Sequence, residues 1–137
     1  LLLGGSGFDF LQGGVGDDTI DGGVITDRYY NYSDSNKVDY TDASGSVIVD
    51  LSVGRSSGAN GNDVLININQ IDGSYYNDTL IGSSDLIWEQ FAGNAGDDVI
   101  DGGLITDTIN SRNSNRVDYS NVWSSITVNL ALGVATG

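Results

Sequence analysis

Histidine, cysteine, proline and methionine are all absent from these 137 residues. Without histidine or cysteine there is no zinc site of the usual types, no Ser-His-Asp or Cys-His nucleophile, and no disulfide. Glutamate is almost missing too: of 19 acidic residues only Glu89 is a glutamate, and the rest are aspartates. Basic residues are limited to Arg28, Lys37, Arg55, Arg112 and Arg116, which leaves a formal net charge of −14. That balance argues against nucleic acid, whose phosphates require lysine and arginine. Leu1-Leu2-Leu3 is too short for a signal peptide or a membrane span, and without an initial methionine the chain is expected to be an excised piece of a longer one.

What is abundant is glycine, with 20 residues, and aspartate. A merely solvated acidic surface would use glutamate freely, whereas aspartate suits turns and short-armed ligation of an ion. The two residue types fall into a register. From Gly4 to Asp27 the sequence divides into units of nine: Gly4, Gly13 and Gly22 at position one, Gly5, Gly14 and Gly23 at position two, and Asp9, Asp18 and Asp27 at position six. Position eight is apolar in the two full units, Leu11 and Ile20, and is expected to point inward.

Each position has a chemical role. Glycine permits positive φ and a close approach of the backbone to an ion. The position-six carboxylate and the carbonyl oxygens of the turn together offer the all-oxygen environment that Ca²⁺ prefers. If each unit is a turn plus a short strand, units eighteen residues apart stack at the ~4.8 Å spacing of neighbouring strands. Asp9 and Asp27 would then share an ion.

These units resemble the glycine- and aspartate-rich nonapeptides of RTX calcium-binding proteins, a β-helix repeat family. The resemblance implies a parallel β-roll that folds on Ca²⁺, and export by type I secretion. It is fullest at Gly13 to Asp21; in the next unit Ile25 replaces the glycine of position four.

A longer repeat overlies the short one. Gly16 to Asp27 returns as Gly96 to Asp107, and Asn36-Lys37-Val38-Asp39-Tyr40 returns as Asn115-Arg116-Val117-Asp118-Tyr119. The expectation is a single elongated array over 1–137, with copy one at about 10–89 and a partial copy two at about 90–137, each unit burying its apolar edge against its neighbours. Alternation at Val47, Val49 and Leu51, and at Val64, Ile66 and Ile68, predicts strands. Asp85 to Phe91 is at most one turn of helix. The segment from Asn36 to Asp78 also resembles a longer module found between RTX nonapeptides in large secreted adhesins and enzymes.

Three further units fit the nonapeptide template and place Asp63, Asp78 and Asp98 at position six. The candidate ion ligands are therefore Asp9, Asp18, Asp27, Asp63, Asp78, Asp98 and Asp107, with Gly5, Gly7, Gly14, Gly16, Gly23, Gly61, Gly96 and Gly103 shaping the turns for several Ca²⁺ ions. Counting on from Asp27 gives Asn36, and its counterpart Asn115; an amide oxygen ligates without charge, so these coils are expected to bind weakly or not at all. Asp17 and Asp97 read as solvent-facing charge. Asp21, Asp39, Asp101 and Asp118 read as strand-end surface residues.

The fold class expected is all-β: a parallel β-roll or β-solenoid with Ca²⁺-binding glycine–aspartate turns and strand-rich insertions. Paired carboxylates, with Glu89 or a close aspartate pair, are the one catalytic option, and Ca²⁺ accounts better for every close pair, so no enzyme is expected. Trp88, Phe91, Trp123 and the tyrosine pairs Tyr29-Tyr30 and Tyr75-Tyr76, with Tyr32, are expected to fill the core or cap loops. The alternative is a sugar-stacking platform. The functional expectation is a Ca²⁺-binding structural repeat of a secreted or cell-surface protein such as an adhesin, surface-layer or filament component, with neighbouring copies of itself as partners. The alternatives are a non-catalytic domain of a secreted enzyme or toxin, or a carbohydrate-binding module.

Overall fold

The computed structural model describes residues 1–25, 35–84, 88–104, 114–123, 127–129 and 134–136. Among these every regular element is a strand of two to four residues. In chain order they are β1 (Leu2–Leu3), β2 (Asp9–Leu11), β3 (Thr19–Asp21), β4 (Asn36–Asp39), β5 (Val47–Asp50), β6 (Arg55–Gly58), β7 (Val64–Ile66), β8 (Gln70–Asp72), β9 (Thr79–Ile81), β10 (Glu89–Ala92), β11 (Val99–Asp101), β12 (Asn115–Val117), β13 (Thr127–Asn129) and β14 (Val134–Thr136). Glycine-containing turns border most of these strands and keep them short.

Successive strands from β1 to β12 alternate between two sheets, except that β5, β6 and β7 share the larger one; β13 and β14 pair with each other. The smaller has the order β12-β10-β8-β4-β2 and is parallel throughout. The larger has the order β1-β3-β7-β6-β5-β9-β11. It is parallel except where the hairpin β5–β6 is inserted: β6 runs antiparallel to both β5 and β7, and β5 then pairs parallel with β9. The larger sheet therefore gains two strands where the smaller joins β4 directly to β8.

The core is a narrow seam of inward-facing strand residues, to which β5 gives two, Val47 and Val49, and the connections add Tyr40, Ala43 and Ile68. Leu11, Val38, Ile71 and Phe91 line up across the smaller sheet. Ile20 and Leu65, then Val49 and Leu80, line up across the larger. Ile20, Val38, Val49, Ile71, Leu80 and Phe91 are fully buried, each contributing roughly 1.5–3 kcal/mol by leaving water. Position eight of the nonapeptide is thus the core position, as expected.

Two expectations are corrected. At β7 the inward residue is Leu65, while Val64 and Ile66 face out, because the nonapeptide register and not the longer run of β-branched residues sets the strand's face. Of Asp85 to Phe91, where one helical turn was conceivable, Glu89 to Phe91 lie in strand β10 and 85–87 are outside the described residues.

Of the aromatics, Phe91 fills the core as expected, but Tyr75, Tyr76 and Trp123 are exposed, Trp123 completely. Tyr75 and Tyr76 sit on the six-residue connection between β8 and β9, facing away from the core seam. Tyr29, Tyr30 and Tyr32 lie outside the described residues. Among the described residues no helix is long and apolar enough to cross a membrane.

Candidate metal sites in the turns

The turns that join the sheets are where the glycine and aspartate positions act. All eight glycines expected at ion sites have positive φ: Gly5, Gly7, Gly14, Gly16, Gly23, Gly61, Gly96 and Gly103. At Gly16 (φ 118) and Gly96 (φ 123) an L side chain would be strained. Position-one glycines have a different cause. A Cβ on Gly4 would lie 2.7 Å from the Asp9 carboxyl, and one on Gly73 2.5 Å from that of Asp78. Position one must be bare because the position-six carboxylate of the same turn folds over it.

Strand register decides which position-six residues become neighbours. On one side of the molecule, Thr19 pairs with Val64, so Asp18 lies beside Asp63; Val99 pairs with Thr79, so Asp98 lies beside Asp78. The Asp18 N–H donates to Asp63 Oδ1 (2.9 Å), and the Asp78 N–H donates to Asp98 Oδ1 (2.9 Å). The hairpin separates these two pairs. On the other side the row runs Asp9, Asn36, Asn69, Glu89, Asn115. Here the Asn36 N–H donates to Asn69 Oδ1 (2.7 Å), the same contact made by amides.

The expected partner of Asp9 was Asp27, which lies outside the described residues, as does Asp107. In the sheet the register partner of Asp9 is Asn36. Asn69 and Glu89 were not foreseen in this row. Their turns lack the nonapeptide glycines, and only strand pairing reveals them. Glu89 is fully buried and its Oε1 accepts the Ser83 N–H (2.8 Å).

The remaining aspartates divide by role. Asp21, Asp39, Asp101 and Asp118 each accept the N–H of the residue two further on, closing a turn at the strand's end. Asp39 is buried, not at the surface as expected, since the turn that it closes folds over it. Asp17 is exposed but not idle: its Oδ1 accepts the Asn62 N–H (2.8 Å), tying two stacked turns together. Gly16 N–H adds a bond to the Asn60 carbonyl (2.7 Å).

The position-six carboxylates differ in what already holds them. Asp63 Oδ2 accepts the hydroxyls of Tyr40 and Ser56, each at 2.8 Å. Burial, with the Asp63 charge beside it, pushes the Tyr40 hydroxyl well above the phenol range, so it stays a donor. Asp78 Oδ1 accepts the Val47 N–H (2.9 Å) and the Ser74 hydroxyl (2.7 Å), and its Oδ2 accepts the Ser74 N–H (2.6 Å). Burial raises the Asp78 carboxyl and these donors oppose it. Asp98 has one such donor; burial first, and the charges of Asp78 and Asp97 next, push its carboxyl up to about 6. On the smaller sheet, Lys37 pairs with Asp72 at 3.0 Å, yet burial still leaves the Asp72 carboxyl raised.

Do these turns suit Ca²⁺? No group of three acidic side chains converges among the described residues, so an ion here would need backbone carbonyls and amide oxygens as well as carboxylates. The turns provide them. Asp9 Oδ2 and Asn36 Oδ1 are buried, have no hydrogen-bond partner, and belong to register partners. A Cβ on Gly23 would run into the Gly5 carbonyl oxygen, so these two turns stack backbone against backbone. Two buried acceptor oxygens without partners are costly, and a hard cation is a group that would satisfy them.

The description RTX calcium-binding nonapeptide repeat matches this chain in 4 copies, over residues 1–24, 67–85 and 89–114, together half of its length. The chain belongs to the RTX calcium-binding repeat family. The matched RTX segments include the turns at Asp9, Asp18, Asp78 and Asp98 described above, whereas the hairpin β5–β6 and Asp63 lie outside them. Curated proteins and solved structures gave no match.

Proposed function

We propose that this chain is a Ca²⁺-dependent structural module of a large secreted or cell-surface protein, a parallel β-roll in which stacked RTX turns hold ions along both sides. The observation that carries this reading is the pair of orphaned oxygens, Asp9 Oδ2 and Asn36 Oδ1, buried on neighbouring coils. Strand alternation between two largely parallel sheets supports the roll. The array reading, copy one at about 10–89 and partial copy two at about 90–137, is supported by the two hairpins: Asp50 pairs with Arg55 in β5–β6, and Asn129, seventy-nine residues on, pairs with Val134 in β13–β14.

Bound Ca²⁺ supplies the positive charge that the stacked turns lack. The chain's own part is to hold the carboxylates of Asp9, Asp18 and Asp98, each in its own glycine turn, where an ion would reach them. At a net charge of −14 the ion-free turns repel one another. In calcium-poor cytoplasm the chain would stay loosely folded for export, by type I secretion on this reading. Outside the cell, millimolar Ca²⁺ would order it. Copies stacked end to end are the partners this reading implies.

The test is far-UV circular dichroism and calorimetric titration with Ca²⁺ and with excess chelator. The reading requires saturable Ca²⁺ binding and a higher melting temperature with the ion; an unchanged β signal and melting temperature in chelator would overturn it. The full exposure of Trp123, with Tyr75 and Tyr76 also exposed, favours a second reading in which the loaded module also binds a surface such as glycan. Glycan-array binding of the Ca²⁺-loaded protein, lost on Trp123→Ala, is its test.

A further inference from the structure

The hairpin β5–β6 interrupts the row of position-six aspartates, and the residues around it do something the RTX turns do not. Asp63 and Asp78 flank the insertion, are 1% and 2% exposed, and are the two position-six carboxylates held by the most protein donors. Asp63 accepts from Asp18 N–H, Tyr40 Oη and Ser56 Oγ; Asp78 accepts from Val47 N–H, Ser74 N–H and Ser74 Oγ. A carboxylate has about four lone-pair sites, so each already has three filled.

Tyr40, Ser56 and Val47 come from the hairpin and its approach, Ser74 from the Asp78 turn itself, and the Asp18 N–H from the neighbouring coil. Ser56 lies on β6 directly opposite Asp63, with reciprocal backbone bonds of 3.1 and 3.2 Å between the two residues. Tyr40 reaches in from the end of β4, buried to 2% exposure, and its hydroxyl also contacts Ser56 Oγ at 2.7 Å. Val47 opens β5 beside Asp78. A stacked-turn ion slot requires two RTX turns in adjacent coils, and here two strands stand between Asp63 and Asp78.

We infer that the hairpin and its hydroxyl donors form a calcium-independent clamp: Tyr40, Ser56 and Ser74 do for Asp63 and Asp78 what the ion does for the other turns, so the segment from Asn36 to Ile81 stays folded when Ca²⁺ is withdrawn. This rests on the calcium reading above for the flanking coils. Hydroxyl and N–H donors to an ionised carboxylate are about twice as strong as neutral hydrogen bonds, which is what makes a buried carboxylate tolerable without a cation. The core is concentrated in the same place. Among the described residues the buried apolar cluster has twelve members, of which nine lie between Val38 and Leu80 and three, Leu11, Ile20 and Phe91, in the flanks. The flanking coils, by contrast, contain Asp9 and Asp98, each with fewer protein donors and a nearly complete RTX turn. The chain is thereby divided into a permanently ordered centre and two calcium-ordered ends.

Residue-resolved amide exchange, with Ca²⁺ and with chelator at matched ionic strength, tests this. The expected result is that the amides of Val49, Ser56, Asp63 and Leu65 keep their protection in chelator to within about threefold, while those of Gly4 and Val99 lose on the order of a hundredfold. If centre and ends open together in chelator, the clamp is wrong while the calcium reading stands. If neither changes, the calcium reading falls and the clamp falls with it. Tyr40→Phe removes one donor and little volume. In chelator it should cost the centre about ten- to a hundredfold in protection, with the Ca²⁺-loaded ends unaffected. Wild-type protection in that variant would overturn the clamp.

Discussion

The Asp18 N–H donates to Oδ1 of Asp63, forty-five residues away, and so ties a position-six carboxylate to the backbone of the neighbouring coil. Asp78 makes it to Asp98, and Asn36 makes it to Asn69. In these three cases the position-six side chain grips the backbone of the preceding coil with one oxygen. An amide oxygen serves the grip as well as a carboxylate does, which is why asparagine can hold a place in the row. Only the charge distinguishes a strong ion site from a spacer.

That distinction makes Asp98→Asn informative. The variant keeps an oxygen for the Asp78 N–H but loses the charge, so the fold in chelator should be as stable as wild type or slightly more so. Ca²⁺ affinity should fall about tenfold or more, since ligand charge tunes affinity. Asp98→Ala should lose both. Calorimetric titration and denaturation in chelator separate the two effects.

Asp98 also gives the protein a pH dependence. Its folded carboxyl is pushed up to about 6 from an ordinary 3.8, so the folded state holds its proton more tightly than the unfolded state. In chelator this group's contribution to stability should decline as pH rises from about 3.8 to about 6 and level off above. With Ca²⁺ the sign reverses, because the ion binds the ionised form: affinity should fall as pH drops below about 6. Titrations at pH 5 and pH 7 check this, and Asp98→Asn should flatten the difference.

Glycine substitutions should sort by cause. Gly73→Ala puts a methyl 2.5 Å from the Asp78 carboxylate, and with Asp78 pinned by three donors the clash cannot relax cheaply. A loss of about 2–3 kcal/mol is expected. Gly5→Ala meets nothing within 4 Å and has only its φ of 110 to strain it, so about 1 kcal/mol is expected. Urea denaturation of the Ca²⁺-loaded variants measures both.

In the core seam, Leu80→Ala should cost about 2–5 kcal/mol, as Leu80 is fully buried between Val49 and Ile100. Ile48, on the opposite face of the neighbouring strand and 51% exposed, should tolerate alanine within about 0.5 kcal/mol. Equal losses at the two positions would contradict the strand faces described here.

What the sequence determined by itself is what the nonapeptide encodes locally. Positive φ at Gly16 and Gly96, the inward position eight at Ile20 and Leu80, and the inward carboxylate at Asp18 each depend on residues within one unit, so counting by nine finds them. Which position-six residues share an ion row was decided only by the tertiary structure. Asp9 meets Asn36 rather than Asp27, Glu89 joins a row that no motif predicts for it, and two strands divide Asp18 and Asp63 from Asp78 and Asp98. Row membership is set by strand register, which the inserted hairpin β5–β6 changes while leaving the nonapeptide units themselves intact. The same insertion brings Tyr40 and Ser56 to Asp63, sixteen residues apart in sequence and in contact only because a hairpin folds back between two coils.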